Sequence, residues 1–353
     1  MSLFVLTLAA AQPVAPTTLE RHAAVKLATE AYRAASGFNG EVQLSFGPDD
    51  FLWSSYPGGP TNAQAHWLRS EQPWPWASIT KQVAAVMVMQ QVEDGKLELD
   101  APVARYLPLP GASPAPTVRQ LLQHRSGLRN PDDSAKDKAG LPSFYTDGAT
   151  GLDWCLAERE PVPTEGWTYN NCDYLLLGRL LETVSGKSFG QLFLERIKRP
   201  ANLARAGMIE GPSPFLVGYR ADDPIRYERY GAAAGLAGRL QDVVAFSRAL
   251  MDGKLLSATA IDALWKGDPK LGFMALGQWS FAVPLKGCAK PVRIVERRGA
   301  IQRYGLRNFI FPDQGIALAM ATYQDGFDYG ELWTGKGPAF DYLSAIVCGR
   351  APD

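Results

Sequence analysis

Hydrophobic positions from Leu19 to Ser36 recur at helical spacing, so the first regular element is an amphipathic helix. Gly37 ends it. Two short alternating runs follow, Gly40–Phe46 and Phe51–Tyr56, separated by Gly47-Pro48-Asp49-Asp50, and alternation on both sides of a turn-rich tetrapeptide predicts a β-hairpin. From Ser78 onward Ile79, Val83, Val86 and Met87 mark one helical face, while Ala84, Ala85, Val88, Met89 and Val92 fill the others. A helix apolar nearly all round is a buried one. Asp94-Gly95 stops it, with Gly95 placed as a C-terminal cap.

The middle of the chain carries helical signal over Val118–Gln123, Tyr174–Val184, Phe189–Lys198 and Leu240–Met251, with proline-, glycine- and aspartate-rich loops at Arg129–Asp153 and Glu210–Asp223. After Gly272 the period changes to strands at Trp279–Pro284, Val292–Arg297, Arg307–Pro312 and Ile316–Tyr323, and a last helix lies near Phe340–Val347. These patterns predict one α/β lobe built from both chain ends, residues 18–75 and 232–353, and an inserted helical lobe, residues 76–231.

A chain of 353 residues, 46% hydrophobic and 20% charged, is long enough to bury a large core and excludes a disordered or fibrous chain. Equal numbers of basic and acidic residues, 36 each, argue against broad capture of nucleic acid or of an anionic membrane. The expected partner is a small molecule or short peptide. No run of apolar residues is long enough to span a bilayer. Phe4–Ala11 followed by Gln12-Pro13 is similar to the apolar core and cleavage site of a signal peptide, so residues 1–12 are expected to be its remnant and the protein periplasmic or secreted, with a cytoplasmic location as the alternative. Cys155, Cys172, Cys288 and Cys348 have no metal-binding spacing; they read as free buried thiols, or as one or two disulfides if the chain is exported. Three full pairings are open.

Candidate chemistry is sparse. His22, His66 and His124 are the three histidines, and none stands in a recognisable catalytic or metal-ligating pattern, so no metal or other cofactor is expected. Gly186-Lys187-Ser188-Phe189-Gly190 has the form G-x-S-x-G, but no strand precedes it, and Ser188 with Gln191 reads instead as a helix capping box. Ser78-Ile79-Thr80-Lys81 is sharper. Positions i and i+3 of a helix share a face, which sets a hydroxyl beside an amine at a helix start, with Trp74, Trp76, Ala77 and Val83 supplying burial that would lower the lysine pKa.

With these residues in view the sequence resembles the class C β-lactamases, the D-alanyl-D-alanine carboxypeptidases and the esterases of the same fold. The likeness runs in order through Trp76–Lys81, Glu93–Val103, Thr117–Leu128, Tyr169-Asn170-Asn171 with the helix after it, and Gly231–Leu236 leading to Asp242 and Phe246, spanning roughly residues 40 to 325. The resemblance implies an antiparallel sheet flanked by helices, a mainly helical inserted lobe and an active site between the lobes. It implies Ser78 as nucleophile, Lys81 and Tyr169 as general base and acid, the amides of Ser78 and Ala300 as oxyanion hole, and Asn171 as the group that orients Lys81 and substrate. His124 would be structural. At the position of the family's K-T-G or H-T-G stands Arg297-Arg298-Gly299, so Arg297, Arg298 and Gly299 are the expected substrate-binding residues, the arginines receiving a substrate carboxylate. Arg293, Arg297, Arg298, Arg303 and Arg307 read either as an anion-binding wall or as a solvated strand edge. The function expected is acyl transfer to water from an ester, amide or β-lactam, with esterase or D-amino-acid peptidase action ahead of efficient β-lactamase action. The alternative is a non-catalytic penicillin-binding-like module that recognises a peptide or cell-wall fragment. The oligomeric state stays open.

Overall fold

The computed structural model of the chain describes residues 17–55, 72–109, 115–157, 163–212, 216, 220 and 222–349. The apolar run Phe4–Ala11, Tyr56 and His66 lie outside the described residues. The strands are β1 (Gly40–Gly47), β2 (Asp50–Ser55), β3 (Trp74–Pro75), β4 (Gly207–Met208), β5 (Leu236–Gly238), β6 (Trp279–Val283), β7 (Val292–Ile301), β8 (Tyr304–Phe311) and β9 (Ile316–Thr322). The helices are α1 (Thr18–Ser36), α2 (Thr80–Glu93), α3 (Val118–Leu122), α4 (Gly151–Leu156), α5 (Asn171–Ser185), α6 (Phe189–Phe193), α7 (Gly231–Ala234), α8 (Leu240–Met251), α9 (Ala258–Leu264) and α10 (Pro338–Cys348).

Both chain ends enter one antiparallel sheet of order β2-β1-β9-β8-β7-β6, closed by β1 against β9 from Gly40↔Thr322 to Ser45↔Ala317. Strand β9 shows why the sheet has two unlike faces. Leu318 and Met320 point toward α1 and α10, where Val25, Leu343 and the stacked rings of Tyr32 and Tyr342 fill one core. Ala317, Ala319 and Ala321 point the other way, and their small side chains let α8 lie close against the sheet.

The second core surrounds α2, which α5, α7 and α9 enclose on several sides. Every residue of α2 from Thr80 to Gln91 is buried, as the apolar pattern of the sequence requires. Several of its buried polar side chains are paired: Gln82 donates to Gln278 (2.7 Å) and accepts from Asn308 (2.9 Å), and Gln90 donates to the Leu255 carbonyl (2.9 Å).

Some expectations need correction. The cysteines are not free: Cys155–Cys172 joins α4 to the first turn of α5, and Cys288–Cys348 joins the β6–β7 loop to the end of α10. The helix expected over Phe189–Lys198 keeps its α form only to Phe193 and widens into a π turn over Leu194–Lys198. Strand β7 continues four residues past Arg297, and α4, α9 and the small sheet β3-β5-β4 have no counterpart in the sequence pattern. The five arginines form neither a wall nor a solvated edge, because they divide between the two faces of β7 and β8 and the turn that joins these strands. Arg293 pairs with Asp313, Arg303 meets the Tyr323 hydroxyl, and Arg307 is buried with its Nη1 3.5 Å from Glu296.

Candidate active site

Strand β6 pairs with β7 only as far as Trp279↔Glu296, while β8 accompanies β7 from Val295 to Ile301. Among the described residues β7 thus has one free backbone edge from Arg297 onward, and the 3-10 turn Ala77–Ile79 that leads into α2 packs against this part of the sheet. The approach requires Gly299. A Cβ there would stand 2.5 Å from the Trp76 carbonyl oxygen and 3.4 Å from the Ser78 amide nitrogen. Ala77, at the tightest point of the turn, takes a left-handed φ of 48°.

Ser78 is nearly buried at the head of α2, and its Oγ lies 2.5 Å from the Tyr169 hydroxyl and 3.1 Å from Lys81 Nζ. Lys81 Nζ is also 2.8 Å from Tyr169 Oη, 2.7 Å from Asn171 Oδ1 and 2.9 Å from the Ala233 carbonyl. Asn171 Oδ1 and the Ala233 carbonyl oxygen can only accept, so each takes one N–H from the amine. Asn171 is fixed in that orientation because its Nδ2 donates to the Tyr145 hydroxyl (2.8 Å). Burial, reinforced by the positive charge of Arg297, pushes the Lys81 amine well below its ordinary pKa, and Asp132 and Asp173 oppose the shift. A neutral amine has two N–H donors and a lone pair. With the donors held by Asn171 and Ala233, the lone pair is left for Ser78 Oγ and Tyr169 Oη. Burial raises the Tyr169 phenol above its ordinary value as it lowers the amine, so it favours the uncharged form of both groups.

The shell behind these groups is buried and mostly uncharged. His124 Nδ1 accepts from the Asn170 amide (3.2 Å), and its ring packs between Tyr169 and Tyr174. Burial, then the charges of Arg297 and Lys81, holds the imidazole well below its usual range, and its place behind Tyr169 is a packing position. Asp173 accepts from Ser126 Oγ, and burial pushes its carboxyl well above the usual carboxylate range. Ser188 is the N-cap of α6, bonded to Gln191 in a capping box and part of the surface; His22 pairs with Asp50 near the surface.

Arg297 and Arg298 alternate across β7 and part company. Arg297 is fully buried on the Ser78 side, where its Nε donates to the Ser78 carbonyl (3.0 Å) and its Nη2 lies 3.5 Å from Tyr169 Oη. Arg298 points to the opposite face, paired with Glu331 through both Nη atoms (2.6 Å each) and with Glu296 (2.8 Å). The structure thus brings Ser78, Lys81, Tyr169, Asn171, Arg297 and Gly299 together, with Ala300 next along the free edge, and does not bring Arg298 to the site. The period of two in a strand is the reason. Three participants have no precedent in the sequence analysis: the Ala233 carbonyl, which has no side-chain signature; Tyr145; and Asp132, half-buried in the turn Asn130-Pro131-Asp132 and 3.4 Å from Asn171 Nδ2.

A serine hydroxyl held between an amine and a phenol, at the unpaired edge of an antiparallel sheet, is the arrangement of the β-lactamase and penicillin-binding-protein fold. The family model described as Beta-lactamase matches residues 55–336, and the chain belongs to that family. A D-aminopeptidase of Cereibacter sphaeroides is 27% identical over 183 residues, covering 49% of this chain and 35% of its own length. Esterase EstB of Burkholderia gladioli is 29% identical over 177 residues, 44% of each chain. The chain thus spans less than half the length of these curated relatives. A crystal structure of a D-stereospecific amidohydrolase from Streptomyces sp. has the same fold, with a TM-score of 0.71 at 24% identity over 94% of this chain and 99% of that one.

Proposed function

We propose that the protein is a serine hydrolase that works through an acyl-enzyme. The observation that carries this reading is Ser78 Oγ within 3.1 Å of Lys81 Nζ and 2.5 Å of Tyr169 Oη. Ser78 Oγ attacks the substrate carbonyl carbon as its proton passes to the Lys81 lone pair. The amides of Ser78 and Ala300 hold the oxyanion. Collapse breaks the bond to the leaving amine or alcohol, which takes a proton through Tyr169, and Lys81 restores the phenol. Water then attacks the acyl carbon by the same route and releases the acid and Ser78.

The substrate class we favour is a small ester or amide of a D-amino acid with a free ammonium group, turned over faster than a β-lactam. The names of the relatives support it, and so does the charge at the site. Arg297 is engaged by the Ser78 carbonyl, whereas the Asp132 carboxylate has no ion-pair partner among the described residues and lies beside Asn171. We also propose an exported protein; the two disulfides support an oxidising compartment.

The test is intact mass after parallel incubation with a fluorophosphonate, an activated D-aminoacyl ester and a penicillin, with peptide mapping. The expected result is an adduct on Ser78 and its loss in Ser78→Ala, which keeps the fold. Stoichiometric binding with no covalent adduct would favour the non-catalytic module. For the substrate class, Asp132→Asn should raise KM for the free-amine ester and leave its N-acetyl analogue unchanged; equal effects on both would exclude recognition of the ammonium by Asp132.

A further inference from the structure

The residue that departs from the family motif is also a buried cation with no ion-pair partner among the described residues. Arg297 Nη1 has no hydrogen-bond partner among them, and Glu296, next along the strand, and Glu331 are paired with Arg298 and Arg307 on the other face of the sheet. The guanidinium carbon lies 5.5 Å from the Tyr169 ring centre and 5.3 Å from that of Trp279. Ring faces stabilise a cation without neutralising it.

Lys81 shares this enclosure. Two buried basic groups repel, and the repulsion is relieved when one gives up its proton; a guanidinium stays protonated in proteins, so the amine is the one that changes. The other titratable groups facing Lys81 are Tyr169 ahead of α5, Asp173 and Tyr174 on α5, His124 after α3, Tyr145 behind Asn171, and Asp132. Asp132 draws the amine toward its charged form, as Asp173 does only when ionised, and Arg297 acts against them.

We propose that Arg297 is a positioning residue and not a receptor for a substrate carboxylate: it fixes the nucleophile's turn through the Ser78 carbonyl, and as the permanent cation of the enclosure it makes Lys81 the group that gives up a proton. The proposal rests on the assignment of Ser78, Lys81 and Tyr169 above.

The experiment compares the wild type with Arg297→Gln and Arg297→His, histidine being the residue that the H-T-G form of the motif places here. The readouts are kcat/KM for an uncharged activated ester and the rate of fluorophosphonate labelling of Ser78, both from about pH 5 to 10. The acid limb should move up by about one pH unit or more in both variants, so that activity at a pH on the wild-type acid limb falls about tenfold or more and returns above the shifted limb. KM for a carboxylate-bearing ester should change no more than KM for the uncharged one. Equal loss at every pH with the limb unmoved leaves Arg297 a packing role and overturns the proposal. A KM increase confined to the carboxylate-bearing ester overturns it in favour of an anion receptor, and unfolding of both variants by circular dichroism overturns it in favour of a folding role. If wild-type Ser78 takes no label, the assignment beneath has failed, an outcome distinct from a labelled enzyme whose limb stays in place.

Discussion

Replacing Gly299 by alanine would set a methyl group 2.5 Å from the Trp76 carbonyl oxygen and 3.2 Å from Ala77 Cβ. The first contact is with backbone, so no side chain can rotate away. Real Cβ contacts essentially never fall below 3.0 Å, and 3.0 less 2.5 means that β7 and the Ser78 turn must separate by about 0.5 Å. The movement opens the gap between the Ser78 amide and the strand that carries the Ala300 amide. A misplacement of about 1 Å at a reacting centre costs on the order of 100-fold, and loss of one oxyanion donor costs about 10²–10³ in kcat, or about 2.7–4 kcal/mol. The expected result for Gly299→Ala is a fall in kcat of about 100-fold with KM little changed, because the lost contact belongs to the transition state. Overpacking of this kind destabilises by about 1–3 kcal/mol, which thermal melting will read separately. The assay is steady-state hydrolysis of an activated ester at 25 °C. A kcat within about threefold of wild type would refute the placement of the oxyanion hole between β7 and the Ser78 turn.

Three further predictions follow from the same geometry. The folded-state pKa of Lys81 is depressed, so the unfolded chain binds a proton that the native state lacks, and the stability attached to this group is lost as pH falls from the ordinary lysine value of 10.5 toward the depressed folded-state value. Lys81→Met should therefore gain stability relative to wild type as pH is lowered from about 10 to about 6, by up to about 1.4 kcal/mol per pH unit; a difference independent of pH in chemical denaturation would mean a charged lysine. Asp173, held protonated by burial, should tolerate Asn, with the acid limb of kcat/KM unmoved; a limb shifted downward would show that an ionised Asp173 had been holding the Lys81 pKa up. Ser188→Ala removes the cap of α6 and should cost about 1 kcal/mol with turnover intact, and loss of turnover would reopen the G-x-S-x-G reading.

What the sequence made legible was local. The hairpin β1–β2, the buried helix α2 and the cap at Ser188 depend on spacing within a few residues, and S-x-x-K reports a shared helical face directly. The parity of β7 was not legible, because the strand is polar on both faces: Arg293 and Arg297 lie on one and Glu296 and Arg298 on the other. Only the packing of Arg297 on Ser78, and of Arg298 on Glu331, decides which arginine joins the site. The disulfide pairing was open for a related reason. Cys172 meets Cys155 because α5 begins beside α4, a tertiary fact with no trace in a spacing of 17 residues. The Ala233 carbonyl is a backbone group, and Asp132 in its turn reads like any other loop acid.

Taken together, the protonation states describe how a buried site manages charge. Burial pushes the Lys81 amine, the His124 imidazole, the Asp173 carboxyl and the Tyr169 phenol each toward its uncharged form. Arg297 is then the fixed positive charge of the inner shell, and Asp132, beside Asn171, is a carboxylate at its margin. In the proposed reaction Ser78 attacks, a proton moves to Lys81 and negative charge moves to the carbonyl oxygen, so charge would separate between two points that the fold already holds in place. The ammonium that forms meets the oxygens of Asn171 and Ala233, fixed before the reaction begins, and the oxyanion meets backbone amides at the edge of β7. Neither requires solvent to reorganise. The free edge of β7, which exists because β6 stops at Trp279, is therefore the topological feature on which the chemistry depends.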